Sequence, residues 1–151
     1  MALFGEEKPV PMVNGITLDD ALLVIMAARN KAEEIGVMMN IAIVDEGGKL
    51  TAFAKMDGAW GGSIDIAQSK AITARNFDMT SEALGKISQP GEMCFGIHVS
   101  NHGKTIIFGG GIPLQAGTRI IGAIGVSGGS VAQDIEVAEA GVAAFKEQTQ
   151  K

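Results

Sequence analysis

Two apolar rhythms alternate along the chain, one at helical spacing and one at strand spacing. Leu18, Ala21, Leu22, Ile25, Ala28, Ala32 and Ile35 recur every three or four positions, with Arg29 the one polar break. Thr17 stands as N-cap with Asp20 three residues on, an approximate capping box, and Gly36 suits the position just past the helix end. Met39 to Val44 and Leu50 to Ala54 are short apolar runs joined by Asp45-Glu46-Gly47-Gly48-Lys49, which predicts a hairpin. Ser63 then caps a helix reaching about Arg75, with Ala67, Ala71 and Ala74 on a side small enough for close packing. Thr80 or Ser81 caps a short third helix ending at Gly85. Phe95 to Ser100 and Thr105 to Phe108 predict a second hairpin around Asn101-His102-Gly103, and Thr118 to Val126 a further strand. Ser130 to about Lys146 reads as the last helix, with Val131, Ile135, Ala138, Val142 and Phe145 inward. Short turns between consecutive strands imply antiparallel pairing. The pattern therefore predicts an α+β fold: a single antiparallel sheet of about five strands with helices packed on it.

Residues 1–16 lack periodicity and read as an irregular arm before one domain over 17–147, with no internal repeat. Glycine changes the picture most. There are 21 in 151 residues, about twice the usual ~7%, scattered rather than repeated, which implies tight turns and close backbone approaches. A net charge of −5, no Lys/Arg cluster and scarce aromatics argue against a nucleic-acid partner. No apolar run approaches membrane-helix length and no signal segment opens the chain, so no membrane role and a cytoplasmic location are expected. One cysteine, Cys94, excludes an internal disulfide and a Cys-rich zinc site, and reads as an inert thiol.

Candidate chemistry is sparse. The run Gly122 to Gly129, leading into the helix behind Ser130, can hold an anion on backbone N–H groups or simply turn the chain; Ser127 and Gly128 are its candidate contacts. Asp134 and Glu136 in the first turns of that helix suit its dipole and repel such an anion. Asp57, in the loop Lys55-Met56-Asp57-Gly58-Ala59, can bind a polar ligand, act as acid or base, or form an Asx-turn. Lys70 in the alanine-rich helix is either a snorkelling lysine or a cation for a ligand carboxylate. Asp45 most simply starts its hairpin turn. His98 and His102, the only histidines, fall on a predicted strand and its turn; two are too few for a zinc site. Met38 and Met39 are candidates for an oligomer interface. No metal is expected, and no Ser-His-Asp order, HExxH, P-loop or dinucleotide fingerprint occurs.

Five segments, Ala42–Gly48, Lys55–Ala59, Ala67–Ala71, Gly109–Leu114 and Gly122–Gly129, stand in the order and spacing of one family. The chain resembles the GlcG/HbpS-like family, which includes the C-terminal domain of PduO-type corrinoid adenosyltransferases, over roughly Thr17 to Phe145. The resemblance implies a profilin-like fold and homo-oligomers, often octamers. It also implies a haem or corrinoid (cobalamin) ligand in some members and catabolic operons in others. For some haem-binding members the resemblance implies an axial His from the first-helix region. That region here has none, which leaves His98 as the candidate axial ligand. Lys55 stands where many relatives carry Arg, which argues against a bidentate carboxylate clamp there. The family reading brings in ligand contacts from Lys55, Asp57, Lys70, Gly110, Gly111 and Pro113 beside Ser127 and Gly128. The expectation is a homo-oligomeric binding protein for a cofactor-sized tetrapyrrole tied to a catabolic pathway. The alternatives are an enzyme acting on an anionic organic catabolite through Lys70 and Asp57, and an assembly module with no ligand.

Overall fold

The computed structural model describes residues 14–150. Most of the expected N-terminal arm therefore lies outside the described residues. Helix α1 (Leu18–Glu34) leads into the hairpin β1 (Asn40–Asp45) and β2 (Leu50–Lys55), then α2 (Gly62–Phe77) and the short α3 (Ser81–Lys86). A single 3-10 turn (Ile97–Val99) and a four-residue turn α4 (Ser100–Gly103) precede β3 (Gly111–Ala116), β4 (Arg119–Ser127) and α5 (Val131–Thr149). The strands form one antiparallel sheet in the order β2-β1-β4-β3.

Alternation along the strands sorts the core into two layers. Ile41, Ile43, Ile124, Val126 and Leu114 face α1 and α5, where Val24, Ile25, Ala28, Val137, Ala138 and Phe145 meet them. Ala42, Val44 and Ala123 face α2, where Ala67, Ala71 and Ala74 pack as the sequence predicts. The glycines explain how close α2 sits. A Cβ on Gly125 of β4 would lie 2.0 Å from the Ala67 carbonyl oxygen, so only glycine admits the helix backbone there.

Local signals set most element ends. Thr17 and Asp20 form the capping box of α1, Ser130 and Gln133 that of α5, and Thr80 caps α3. Asp45 Oδ1 accepts from the N–H groups of Gly47 and Lys49, both at 2.9 Å, and shapes the first hairpin turn. Gly36, at φ 71°, ends α1.

Four expectations are corrected. The sheet has four strands, because Phe95–Phe108 forms no hairpin; Gly111–Ala116 takes the place beside β4 instead. Asn101 and His102 adopt left-handed φ of 53° and 58°, as a tight turn does, but no strand flanks the turn on either side, and the preceding backbone bonds locally, Cys94 N–H to the Ile87 carbonyl and Ile97 N–H to the Cys94 carbonyl. Helix α2 starts at Gly62 with Gly61 as N-cap, which puts Ser63 inside its first turn. The buried face of α1 holds Ala21, Ile25, Ala28 and Ala32 as expected but takes in Val24, whereas Leu18 and Leu22 are exposed. In α5, Val131 is likewise exposed, and Asp134, Val137 and Gly141 are buried.

Candidate functional site

Where α1 nears its end, a cleft of about 450 Å3 opens against the end of β2. Arg29 and Glu33 come from α1, Met38 from the following loop, and Ala54, Lys55, Met56 and Asp57 from the end of β2 and beyond. Met56 is fixed in the floor, its sulfur accepting the Met39 N–H at 3.3 Å. Arg29 donates to Glu33 at 2.9 Å, one helical turn on. Met38 is 41% exposed. The cleft thus brings three apolar side chains, Met38, Ala54 and Met56, together with two cations, Arg29 and Lys55, and two carboxylates, Glu33 and Asp57. Lys55 and Asp57 meet as expected. Arg29, Glu33 and Met38 are additions; the sequence signal was the single polar break at Arg29 in an apolar face.

Lys70 is elsewhere. It is 0% exposed, and its Nζ donates to the Val126 carbonyl at 2.8 Å and to Asp134 Oδ2 at 2.7 Å. The Phe108 ring covers the amine with its centroid 4.9 Å away. Burial pushes the Lys70 amine below its ordinary value, opposed by the hydrogen bond and charge of Asp134. Gly110 and Gly111 close over this pair. A Cβ on Gly110 would lie 2.8 Å from Lys70 Nζ, and one on Gly111 2.3 Å from the Lys70 carbonyl oxygen. These two glycines therefore hold β3 against α2 and leave no space for a ligand. Pro113 lies on the edge strand β3. Lys70 does not line the cleft, so it shares no catalytic site with Asp57 there.

The glycine loop after β4 is occupied by the protein itself. Asp134 Oδ1 accepts the Gly129 N–H at 3.0 Å, and a Cβ on Gly128 would lie 2.5 Å from the Met38 carbonyl oxygen. Asp134 is therefore more than a helix-end charge: it joins the loop to Lys70. Glu136 is exposed. Ser127, at the end of β4, is buried and pairs in register with Asn40.

His98 lies on the 3-10 turn and faces solvent, and so does His102. Neither lines the cleft. Cys94 is half-buried. Among the described residues no cluster of three or more His, Cys, Asp or Glu side chains is placed to hold a metal ion.

Comparison with known proteins accounts for this architecture. A family model described as haem degrading protein HbpS-like matches residues 16–143. A 15.0 kDa protein of Citrobacter freundii, from the dhaT-dhaS intergenic region, is 38% identical over 132 residues, covering 87% of this chain and 93% of that protein. The corrinoid adenosyltransferase PduO of the same organism is 37% identical over 123 residues, which span 82% of this chain but 37% of the enzyme. The crystal structure of a PduOC:heme complex superposes with a TM-score of 0.83 at 33% identity, covering 86% of this chain and 94% of that one. With its α+β fold matched and nearly all its described length inside the family model, this chain belongs to the HbpS-like family.

Proposed function

We propose that the protein binds a tetrapyrrole, haem by preference, in the cleft between α1 and the end of β2. One observation carries the reading: Met38, Ala54 and Met56 line one cleft together with the cations Arg29 and Lys55. A flat apolar macrocycle with two carboxylates matches that arrangement of grease and charge. The haem complex formed by the relative PduOC supports the choice of ligand. The residues fit the group. Arg29, held by Glu33, and Lys55 would hold the propionates, and the half-exposed thioether of Met38 would offer a donor to the iron. Bound haem supplies redox or gas-ligand chemistry at its iron. The chain's own part is to orient the ring edge and exclude water from its face. His98, outside the cleft, is the axial ligand only for a haem held on the segment between α3 and β3.

Haemin titration followed at the Soret band tests this, with cobalamin in parallel. Saturation at one haem per subunit is expected. Arg29→Ala/Lys55→Ala weakens binding about tenfold or more, and His98→Ala leaves it unchanged. Absence of a saturable shift overturns the reading. A shift lost only in His98→Ala overturns the cleft as its site.

The reading includes a homo-oligomer associated with a catabolic pathway. Leu18, Leu22 and Met26 form an exposed apolar row on α1, four residues apart, which supports self-association.

A further inference from the structure

Helix α1 presents one exposed stripe along its length. Leu18, Leu22, Met26, Arg29 and Glu33 follow one another at intervals of four, four, three and four residues, and all five are exposed. That spacing keeps them on one side of the helix, turned away from the buried Ala21, Val24 and Ala28. The stripe changes character half-way. Leu18, Leu22 and Met26 are 56%, 47% and 49% exposed. Arg29 and Glu33, paired at 2.9 Å, then line the cleft. The body that covers the apolar half therefore borders the cleft.

The charges along α1 identify that body. Asp19 and Asp20 stand in its first turn, whereas Arg29 follows in its later half and Lys31 in its last turn. Asp20 is held by Thr17 and Gln148, while the exposed Asp19 stands in no ion pair among the described residues. A helix acidic at its start and basic toward its end is complementary to an antiparallel copy of itself, and antiparallel helix dipoles attract as well. Pairing of this kind is two-fold, so each residue contact occurs twice. With Leu22 on the two-fold axis, Leu18 of each copy meets the partner's Met26. At a rise of about 1.5 Å per residue the partner's Asp19 then lies within about one helical turn of Arg29. Glu33 occupies Arg29 Nε, and the guanidinium keeps donors for a second carboxylate.

We propose that two copies of this chain pair antiparallel through α1 and complete each other's clefts, the partner's Leu18 extending the apolar lining and the partner's Asp19 pairing with Arg29. What the shared cleft binds rests on the tetrapyrrole reading; the pairing of the helices does not.

Cross-linking tests the pairing without haem. Cys94 is the only cysteine, so Cys94→Ser gives a background free of thiols. On it, Leu22→Cys is expected to form a disulfide between two copies under mild oxidation, since a residue on the axis meets itself. Asn30→Cys, exposed but about 12 Å along the helix from the axis, is expected to give none. In light scattering of the full chain, Asp19→Arg lowers the mass and Asp19→Arg/Arg29→Asp restores it. No disulfide at Leu22→Cys, equal yield at Asn30→Cys, or a charge swap that fails to restore the mass overturns the pairing. Haemin titration scores the shared cleft: Leu22→Lys, outside the cleft lining, is expected to bind haemin at least about tenfold more weakly than the wild type. Unchanged affinity in that variant overturns the sharing and leaves the tetrapyrrole reading standing. No haemin binding by the wild type overturns the tetrapyrrole reading, and the disulfide then decides the pairing alone.

Discussion

Lys70 holds its ammonium where water does not reach, and its partner Asp134 lies 64 positions further along the chain. A buried pair is costly to break by halves, because the remaining charge stays desolvated. Lys70→Met is therefore expected to cost about 3–5 kcal/mol in urea unfolding, whereas Lys70→Met/Asp134→Leu recovers most of that loss. The pair also sets a pH dependence. Burial lowers the folded-state value of the amine below 10.5, so between the two values the unfolded chain binds more protons than the folded one. Stability from this group rises with pH through that window and is level below it. Urea midpoints in the alkaline range should show the rise in the wild type, and the double variant should lack it. Gly125→Ala is a second severe change at this scale: its methyl would meet the Ala67 carbonyl at 2.0 Å, and a loss above about 3 kcal/mol is expected. The sequence marks Lys70 as unusual among alanines, and Gly125 as one of many glycines. It shows neither the carboxylate nor the carbonyl each one meets, because those contacts join separate elements.

Helices were legible where the signal is local. Thr17 with Asp20 and Ser130 with Gln133 fix two helix starts by hydrogen bonds spanning three residues, so a reading of the chain finds the N-cap residues. Ser130→Ala removes one such bond and is expected to cost about 1 kcal/mol, readable as a lower thermal midpoint. The second hairpin was misread because Phe95, Ile97 and Val99 alternate as a strand does. Its backbone instead bonds within itself, Cys94 N–H to the Ile87 carbonyl and Ile97 N–H to the Cys94 carbonyl. Farther on, the Ile106 N–H donates to the Thr73 hydroxyl, tying the segment to α2 rather than to a strand. Alternation reports a face to bury, not the presence of a free sheet edge, and β3 had filled that edge. This same error moved His98 from an inward strand to a solvent-facing turn.

At the scale of the molecule, the strand order governs what the chain brings together. Placing β4 between β1 and β3 carries Ser127 to Asn40, and returning β2 along β1 carries Lys55 to the same row. Lys55, Asp57 and Ser127 were legible as individual residues. That Lys55 and Asp57 line one cleft while Ser127 is buried in the sheet beside Asn40 was not, since it depends on pairing register. The exposed Leu18, Leu22 and Met26 row gives a test of the proposed oligomer: Leu22→Lys should lower the mass measured by light scattering while circular dichroism stays unchanged. The two borders of the sheet differ in kind. Both outer pairings carry a register shift, between Ile43 and Val44 for β1–β2 and between Leu114 and Gln115 for β3–β4, but β2 has no proline, whereas Pro113 deprives β3 of one N–H. Strand addition is therefore easier at β2 than at β3. Two such sheets joined through β2 would end in two β3 borders, each lacking one N–H, so further growth toward a fibre would be disfavoured.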